Sequence, residues 1–282
     1  MNIRTLREKF IQELSGCYPE TEIHSFFKLL SEHYFGLSAV KLALHPQKEL
    51  NADEIEQMNS AMNRLKNNEP VQYIIEKTEF CGLNFQVNKN VLIPRPETEE
   101  LVEWILTDHH ADKPKKMLDI GTGSGCIPVS LAKKKPFFDV FAADISEEAL
   151  KVAKSNAELN EVQITFQLLD ILNPRNFLEK FDLIVSNPPY VRQQEKEWMQ
   201  PNVLEYEPHL ALFVEDEDPL LFYRKILEFA QTNLNKDGLI YFELNEYLEE
   251  ELKVLFQNFG YVQVDFKKDI YGKTRMARLK KT

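Results

Sequence analysis

The chain has 282 residues, a formal net charge of −11, and a composition that is 43% hydrophobic and 11% aromatic. This length suffices for one large domain or two ordinary ones, and the acidic balance argues against a general affinity for the phosphate backbone of nucleic acids. Three cysteines without a CxxC pair and six histidines without a ligand motif favour neither a disulfide framework nor a metal site. The charged N-terminus and the lack of a long apolar run predict a cytoplasmic protein that does not enter a membrane.

Residues 1–68 have the spacing of short amphipathic helices. Apolar residues on one face predict a helix over 3–14, and a second helix ends near Gly36. A short third helix is predicted over 38–44, and Asn51 begins a fourth. Because such helices bury their apolar faces by packing on each other, we expect a small all-α domain.

The hydrophobic period changes to two between Pro70 and Pro94. Residues 79–81 and 83–87 flank Gly82 as in a β-hairpin, and a further short strand is predicted at 91–93. We therefore expect residues 69–93 to form a β-hairpin linker.

Strands and helices alternate in the rest of the chain. After a helix over 99–106, strands are predicted at 117–120, 140–143, 164–169, 181–185, 239–244, 261–266 and 275–280. Helices are predicted between them at 127–133, 146–156, 220–234 and 248–259. This alternation predicts that residues 94–282 form an α/β domain with a doubly wound, mostly parallel sheet of the Rossmann-like kind.

A glycine-rich loop, Gly121-Thr122-Gly123-Ser124-Gly125, follows the first of these strands and precedes a helix. Glycines there permit a tight turn and a close approach of a ligand to the backbone. Cys126 stands where a dinucleotide fingerprint would have a further glycine. We predict that all five loop residues contact a nucleotide-type cofactor.

Acidic residues end the next two strands. Asp144 follows the glycine loop at the distance where a carboxylate can accept both hydroxyls of a ribose, although it could instead cap the helix that begins near Ser146. Asp170 is placed to meet an adenine amino group, with Ile171 against the ring, but an Asp before a turn also serves local hydrogen bonds. Together these residues predict an adenosine-type cofactor.

The segment Asn187-Pro188-Pro189-Tyr190 follows an apolar run that is typical of a buried strand. Two prolines fix φ and remove two N–H donors, so the segment cannot continue a strand or a helix. The stiff turn presents the Asn187 amide and the Pro188 carbonyl in fixed directions. These two acceptors can hold a planar –NH2 group in one orientation.

An amide-type –NH2 is a poor nucleophile because its lone pair is delocalised. Two acceptors on its hydrogens can hold the nitrogen in line with an electrophile, and such orientation lowers a barrier by about 7–11 kcal/mol in favourable cases. S-adenosylmethionine brings such an electrophile, a methyl group on a cationic sulfur. We therefore predict Asn187, Pro188 and Tyr190 as catalytic residues, with the Tyr190 ring facing the sulfonium or stacking on the substrate.

At this point the chain closely resembles the HemK/PrmC family, the N5-glutamine methyltransferases of peptide chain release factors. The resemblance runs from about residue 71 to residue 278. It rests on these segments: Gln72-Tyr73-Ile74, Phe80-Cys81-Gly82-Leu83, Leu92-Ile93-Pro94-Arg95-Pro96-Glu97-Thr98-Glu99, the glycine loop, Val185-Ser186-Asn187-Pro188-Pro189-Tyr190, Tyr206-Glu207-Pro208, and Asp269 with Gly272 and Arg275.

The resemblance implies a class I S-adenosylmethionine-dependent methyltransferase that acts on release factors. It implies that Gly121, Gly123, Asp144 and Asn187 contact the cofactor, and that residues 187–190 hold the glutamine of a Gly-Gly-Gln loop. The N-terminal helices would dock the release factor. We expect a monomer that binds neither nucleic acid nor membrane.

The chain departs from the family pattern at one place. Many members read Glu-x-Gly-x-x-Gln at the end of a late strand, where this chain has Glu243-Leu244-Asn245-Glu246-Tyr247. The departure concerns the end of that strand and leaves the chemistry intact.

Three other functions are compatible with parts of the sequence. A DNA adenine or cytosine amino-methyltransferase uses the same Asn-Pro-Pro-Tyr logic on a flipped base, but the net charge and the lack of an obvious DNA-reading domain argue against it. A non-catalytic S-adenosylmethionine-binding or RNA-associated module is disfavoured by the intact Asn187 and glycine loop. A dinucleotide oxidoreductase is disfavoured by Cys126 and by the lack of an acid for hydride transfer.

Overall fold

The computed structural model describes residues 1–110, 113–174 and 179–281. Three parts of the predicted 94–282 domain, residues 111–112, residues 175–178 and Thr282, lie outside the described residues. The chain divides into two compact units: a helical unit of Met1–Glu76 with Gln200–Tyr206, and a sheet unit of Lys77–Met199 with Glu207–Thr282. The predicted domain boundaries at residues 68 and 93 stay predictions.

The helical unit begins with five helices: α1 (Ile3–Leu14), α2 (Glu20–Phe35), α3 (Ala39–Leu44), α4 (Ala52–Lys66) and α5 (Val71–Ile74). The first four confirm the sequence predictions, and α5 was not predicted. Asn51 caps α4 in a capping box with Glu54, and Gly36 ends α2 in the left-handed conformation at φ +63°. The apolar faces of α1, α2 and α4 form one buried cluster that includes Leu6, Phe10, Phe27, Leu30, Met58 and Leu65.

The elements that follow lie mainly in the sheet unit. In chain order they are β1 (Lys77–Phe80), β2 (Leu83–Gln86), α6 (Pro96–Asp108), β3 (Lys115–Ile120), α7 (Cys126–Lys134), β4 (Phe138–Asp144), α8 (Glu147–Leu159), β5 (Thr165–Leu168), β6 (Phe181–Ser186), β7 (Val191–Arg192), α9 (Pro201–Tyr206, in the helical unit), β8 (Phe213–Val214), α10 (Leu221–Asn233), β9 (Leu234–Glu243), α11 (Glu249–Asn258), β10 (Gln263–Lys268) and β11 (Thr274–Lys280). Short 3-10 helices occur at Gln193–Trp198 and His209–Ala211.

The main sheet has seven strands in the order β10-β11-β9-β6-β3-β4-β5. The strands β9, β6, β3, β4 and β5 are parallel, and β11 and β10 add an antiparallel edge. This arrangement confirms the doubly wound, mostly parallel α/β sheet. The strand order reverses between β3 and β6, and in open α/β sheets ligands bind at the carboxyl ends of the strands beside such a reversal. The glycine loop and Asn187 follow these two strands.

Two parts of the sheet unit differ from the sequence predictions. The strand predicted at 91–93 is wrong, because the Ile93 N–H donates to the Glu207 carboxylate (Oε2, 3.3 Å) and Pro94 offers no N–H for a ladder. The short elements between β6 and α10 were not predicted, because they have no sustained hydrophobic period. In the part of the chain that is described, no helix combines the length and apolarity needed to cross a membrane.

The hairpin β1–β2, expected to be a linker, packs within the sheet unit. Phe80 and Phe85 are buried in the cluster that contains Met117 and Leu183 of the main sheet. The fully buried Asn156 of α8 joins the hairpin to the glycine loop. Its Oδ1 accepts from Gln86 N (2.6 Å), and its Nδ2 donates to the carbonyls of Gln86 and Ser124 (both 2.9 Å).

We expect Asn156→Ala to lower the free energy of unfolding by about 2–3 kcal/mol, because three backbone groups, one of them buried, lose their partner at once. Chemical denaturation of the purified protein measures the change. Asn258→Ala, an exposed change at the end of α11, is the matched control and should shift stability by less than about 0.5 kcal/mol. Equal stability of the two variants would contradict the bridging role.

Candidate active site

A cavity of about 330 Å³ lies at the carboxyl ends of the central strands. The cavity brings together most of the residues that the sequence predicted. Its lining includes Gly121, Thr122, Gly123, Ser124, Asp144, Asp170, Ile171, Asn187, Pro188 and Pro189. Residues that were not predicted as site residues also line it, among them Leu92, Arg95, Thr98, Cys126 and Phe222.

The glycine loop is held against the end of β4 by hydrogen bonds from its own backbone. The N–H groups of Gly121 and Thr122 both donate to the Ala143 carbonyl (2.9 and 3.0 Å). The N–H of Gly123 donates to Asp144 Oδ2 (2.8 Å). Gly123 has a φ of +53°, in the left-handed region that favours glycine. The loop therefore presents bare backbone to the cavity.

Gly125, unlike the other four loop residues, is not part of the cavity lining. It precedes α7 with a φ of +78°, and a Cβ at this position would lie 3.0 Å from the Ala153 Cβ of α8. Gly125 therefore lets α7 and α8 pack closely. This packing alone accounts for a glycine at position 125, and no ligand contact is required.

Asp144 lines the cavity beside the glycine loop, as the sequence predicted. The alternative role predicted for Asp144, capping the next helix, is taken by Ser146. Ser146 Oγ accepts from Ala149 N (3.1 Å) at the start of α8. The Asp144 carboxylate accepts from Gly123 N and from Ser146 N (2.9 Å). Burial raises the pKa of Asp144 above its ordinary value. Because a carboxylate has about four acceptor sites, capacity remains for two hydroxyl groups of a ligand.

Asp170 and Ile171 both line the cavity, but the Asp170 carboxylate also makes local bonds. It accepts from Leu172 N (2.9 Å) and from Asn173 Nδ2 (3.1 Å). Ile171 is 8% exposed and offers an apolar surface. These local bonds hold the Asp170 carboxylate in one position. A ligand in the cavity would therefore find a fixed hydrogen-bond acceptor next to the apolar side chain of Ile171.

The Asn187 amide is oriented by a hydrogen bond on its nitrogen side. Asn187 Nδ2 donates to Thr98 Oγ1 (3.3 Å), and the Thr98 hydroxyl donates to Glu243 Oε2 (2.6 Å). Within the described part of the chain, Asn187 Oδ1 has no hydrogen-bond partner. Both Asn187 and Pro188 line the cavity. The geometry thus leaves the amide oxygen as an acceptor for a ligand.

Tyr190, predicted as a catalytic aromatic, is not part of the cavity lining. Its hydroxyl donates to Glu243 Oε1 (3.0 Å), and its ring packs against the buried core of the sheet unit. The structure therefore does not bring Tyr190 together with Asn187 and Pro188 in the cavity.

Glu243 ends β9 and is 2% exposed. Burial raises the pKa of its carboxyl group, while the hydroxyls of Thr98 and Tyr190 and the charge of Arg275 act in the opposite direction. A buried carboxyl group with two hydroxyl donors has both oxygens satisfied.

Arg95, which lines the cavity, forms an ion pair with Glu207. Arg95 Nη2 donates to Glu207 Oε1 (2.6 Å), and Glu207 also accepts from the Ile93 N–H. The Glu207 side chain is 1% exposed, whereas the Arg95 side chain is 32% exposed. The pair holds the segment before α6 against the segment after α9.

Asn245, which departs from the family pattern, and the nearby Tyr247 support the segment that follows the Asn-Pro-Pro-Tyr turn. Asn245 Nδ2 donates to the Tyr190 carbonyl (2.9 Å) and to Glu195 Oε2 (3.0 Å). Tyr247 lies under the Arg192 guanidinium, 6.0 Å from the ring centroid. A glycine at position 245 could make neither bond, so this chain fixes the segment with side chains of its own.

Sequence reasoning missed Thr98, Arg95, Glu207 and Glu243 as site residues. Thr98 and Arg95 lie in the segment Ile-Pro-Arg-Pro-Glu-Thr-Glu, which the resemblance had marked without giving its residues a role. Glu243 ends a parallel strand, as Asp144 does, so the strand-end rule could have found it. No cluster of three or more His, Cys, Asp or Glu residues suited to a metal was found in the described ranges.

Comparison with known proteins identifies two family models that match the chain and solved structures that share its fold. Residues 98–205 match the family model of the methyltransferase small domain, and residues 5–75 match the PrmC N-terminal domain. The fold resembles a methyltransferase from Pyrococcus furiosus (TM-score 0.53, 23% identity, 79% of this chain and 98% of that chain). It also resembles a T. thermophilus 16S rRNA methyltransferase in complex with AdoMet and guanosine (TM-score 0.52, 16% identity, 73% of this chain and 50% of that chain).

Fold and site together define a methyltransferase. The release factor glutamine methyltransferase of Flavobacterium psychrophilum is 50% identical over 282 residues, which cover 99% of each chain. That of Bacteroides thetaiotaomicron is 42% identical over 94% of this chain and 95% of its own. The chain belongs to the family of release factor glutamine methyltransferases.

Proposed function

We propose that this chain transfers a methyl group from S-adenosylmethionine to the side-chain amide nitrogen of the glutamine in the Gly-Gly-Gln loop of peptide chain release factors. The observation that carries the proposal is the oriented Asn187 amide, whose oxygen is free to accept while its nitrogen is held by Thr98. The two relatives compared above, which match 99% and 94% of this chain, are named release factor glutamine methyltransferases.

The residues of the cavity fit S-adenosylmethionine. The backbone of the glycine loop allows close approach, Asp144 retains acceptor capacity for the two ribose hydroxyls, and Ile171 offers an apolar face for the adenine. Asp170 is a fixed acceptor for the adenine amino group. When bound, the cofactor supplies a methyl group on a cationic sulfur.

The Asn-Pro-Pro-Tyr turn orients the substrate nitrogen. The glutamine –NH2 has two hydrogens, and Asn187 Oδ1 and the Pro188 carbonyl can accept one each. Holding both hydrogens fixes the direction of the nitrogen lone pair, which lowers the entropic part of the barrier. No strong base is needed, because the methylated nitrogen is acidic and releases its proton to water.

We place the other predicted site residues in supporting roles. Tyr190 would act through its bond to Glu243, and Gly125 through the packing of α7 on α8. Pro189 lines the cavity beside Pro188 and stiffens the turn. We propose that the enzyme acts as a monomer in the cytoplasm.

A DNA amino-methyltransferase is the alternative, because the same two acceptors can hold the –NH2 of a flipped base. The net charge of −11 opposes binding to a duplex.

Incubation with methyl-labelled S-adenosylmethionine, a release factor and duplex DNA tests the proposal. We expect label on the release factor, located by peptide mapping on the glutamine of Gly-Gly-Gln. Label on the DNA, or on another residue of the release factor, would contradict it.

We expect Asn187→Ala to reduce kcat on a release factor by at least about 10²-fold, because one preorganised acceptor for the –NH2 is lost. The affinity for the cofactor should fall less, since the glycine loop and Asp144 remain. Single-turnover methylation and calorimetry measure the two effects. Turnover near the wild-type rate would make Asn187 a turn residue without a catalytic role.

We expect Asp144→Ala to weaken the binding of S-adenosylmethionine by about 1.5–3 kcal/mol, because hydrogen bonds to a charged group are lost. Since burial raises the pKa of Asp144, wild-type affinity should also fall as the pH is lowered through this raised pKa. Calorimetry as a function of pH measures both effects. Asp139→Ala, an exposed change on the same strand, is the control; equal affinities of the two variants would remove Asp144 from the site.

We further propose that the helical unit docks the release factor. A cleft of about 430 Å³ is lined by the basic residues Arg4, Arg7, His24 and Lys28 and by apolar residues that include Phe27 and Leu42. Within the described residues, Arg4, Arg7 and Lys28 have no ion-pair partner. In a chain of net charge −11, this cleft favours an acidic segment of the partner with an apolar anchor.

We expect Arg4→Glu/Arg7→Glu to raise KM for a whole release factor by about tenfold, because two attractive charges become repulsive. The kcat and the affinity for the cofactor should not change. Lys41→Glu/Lys48→Glu alters the net charge equally outside the cleft and is the control. Steady-state kinetics at low and high salt measure the difference, and equal KM values for the two double variants would refute the docking site.

A further inference from the structure

We propose that Thr98 and Glu243 are positioning residues that decide which atom of the Asn187 amide faces the cavity. This inference rests on the proposed function, because it concerns the acceptor that would hold the substrate –NH2. Neither residue was predicted from the sequence to take part in the reaction.

The three side chains form one chain of hydrogen bonds. Asn187 Nδ2 donates to Thr98 Oγ1 (3.3 Å), and Thr98 Oγ1 donates to Glu243 Oε2 (2.6 Å). Tyr190 donates to the other oxygen of Glu243 (3.0 Å). Thr98 is 3% exposed and Glu243 is 2% exposed, so little bulk water can replace a missing partner.

The direction of the chain follows from the number of protons. In the observed geometry the Thr98 and Tyr190 hydroxyls each donate to one oxygen of Glu243, and an ionised Glu243 can only accept, so both hydroxyls then direct their protons at it. The Thr98 hydroxyl has only one proton. When that proton makes the hydrogen bond to Glu243, the Thr98 oxygen can only accept a hydrogen bond from Asn187. Asn187 must then present its –NH2 to Thr98, which leaves Oδ1 for the cavity.

The opposite orientation of the amide is disfavoured twice. If Asn187 turned its oxygen to Thr98, the hydroxyl would have to donate to that oxygen, and Glu243 Oε2 would be a buried acceptor without a donor. The –NH2 of Asn187 would also face the –NH2 of the substrate, and two donors form no hydrogen bond. The buried carboxylate therefore selects the productive orientation.

Thr98→Val tests the inference, because valine keeps the shape of threonine and removes the hydroxyl. We expect kcat on a release factor to fall about tenfold or more, as for a lost orienting hydrogen bond, while the dissociation constant of S-adenosylmethionine changes by less than about twofold. Thr98→Ser restores the hydroxyl and should recover most of the lost kcat. Thr107→Val, on the same helix with its hydroxyl bonded to the Glu103 carbonyl, is the matched control.

A double-mutant cycle separates positioning from a general structural effect. If Thr98 acts through Asn187, Thr98→Val should cost less than about twofold in kcat when Asn187 is already alanine. Equal losses in both backgrounds would overturn the inference, as would a Thr98→Val enzyme with wild-type kcat or a Thr98→Ser enzyme as impaired as Thr98→Val.

The outcomes also separate this inference from the proposed function. Should the wild-type enzyme leave a release factor unmethylated, the proposed function fails. Should the wild-type enzyme methylate the glutamine while the cycle shows no coupling, the function stands and the positioning role of Thr98 and Glu243 fails. If the Thr98→Val protein does not fold, the same double-mutant cycle with Asn187→Ala can be measured with Thr98→Ala, and Thr98→Ser again serves as the variant that keeps the hydroxyl.

Discussion

The buried carboxylate of Glu243 is the group on which the site depends. It accepts one hydrogen bond from the Thr98 hydroxyl and another from the Tyr190 hydroxyl, and through Thr98 it sets the direction of the Asn187 amide. The side-chain amide of an asparagine can present either its –NH2 donor or its oxygen acceptor to a ligand. A rotation of 180° about the last side-chain bond exchanges the two, and on an exposed side chain the two orientations are similar in energy. In this site the buried carboxyl group of Glu243, which accepts from Thr98 and Tyr190, removes that freedom.

The sheet supplies the second constraint. Because β3 and β6 are neighbours and the strand order reverses between them, the glycine loop and the Asn-Pro-Pro-Tyr turn meet at one edge of the sheet. Asp144 then joins the loop to the next strand through Gly123. The cofactor end and the substrate end of the cavity thus follow adjacent strands of the sheet. Rigid strands hold functional groups in place more precisely than loops do.

The sequence predicted the parts of the site that are local to a strand end. Asp144 and Asn187 follow buried strands, and parallel strands bring their carboxyl ends together, so their placement in the cavity followed from the pattern. Thr98 and Glu243 lie 145 positions apart, and their contact depends on how α6 packs on β9, which no local pattern encodes. Tyr190 was assigned to catalysis because it adjoins Asn187 and the prolines. The direction of its side chain is set instead by a hydrogen bond to a residue 53 positions away.

Neutron diffraction from crystals exchanged into heavy water tests the central claim most directly, because it locates the deuterons of the Asn187 amide and of the Thr98 hydroxyl. The account predicts two deuterons on the Asn187 atom beside Thr98, one Thr98 deuteron directed at Glu243, and none on the Asn187 atom that faces the cavity. Deuterons on the cavity-facing atom of Asn187, with the Thr98 hydroxyl turned towards the amide, would contradict it.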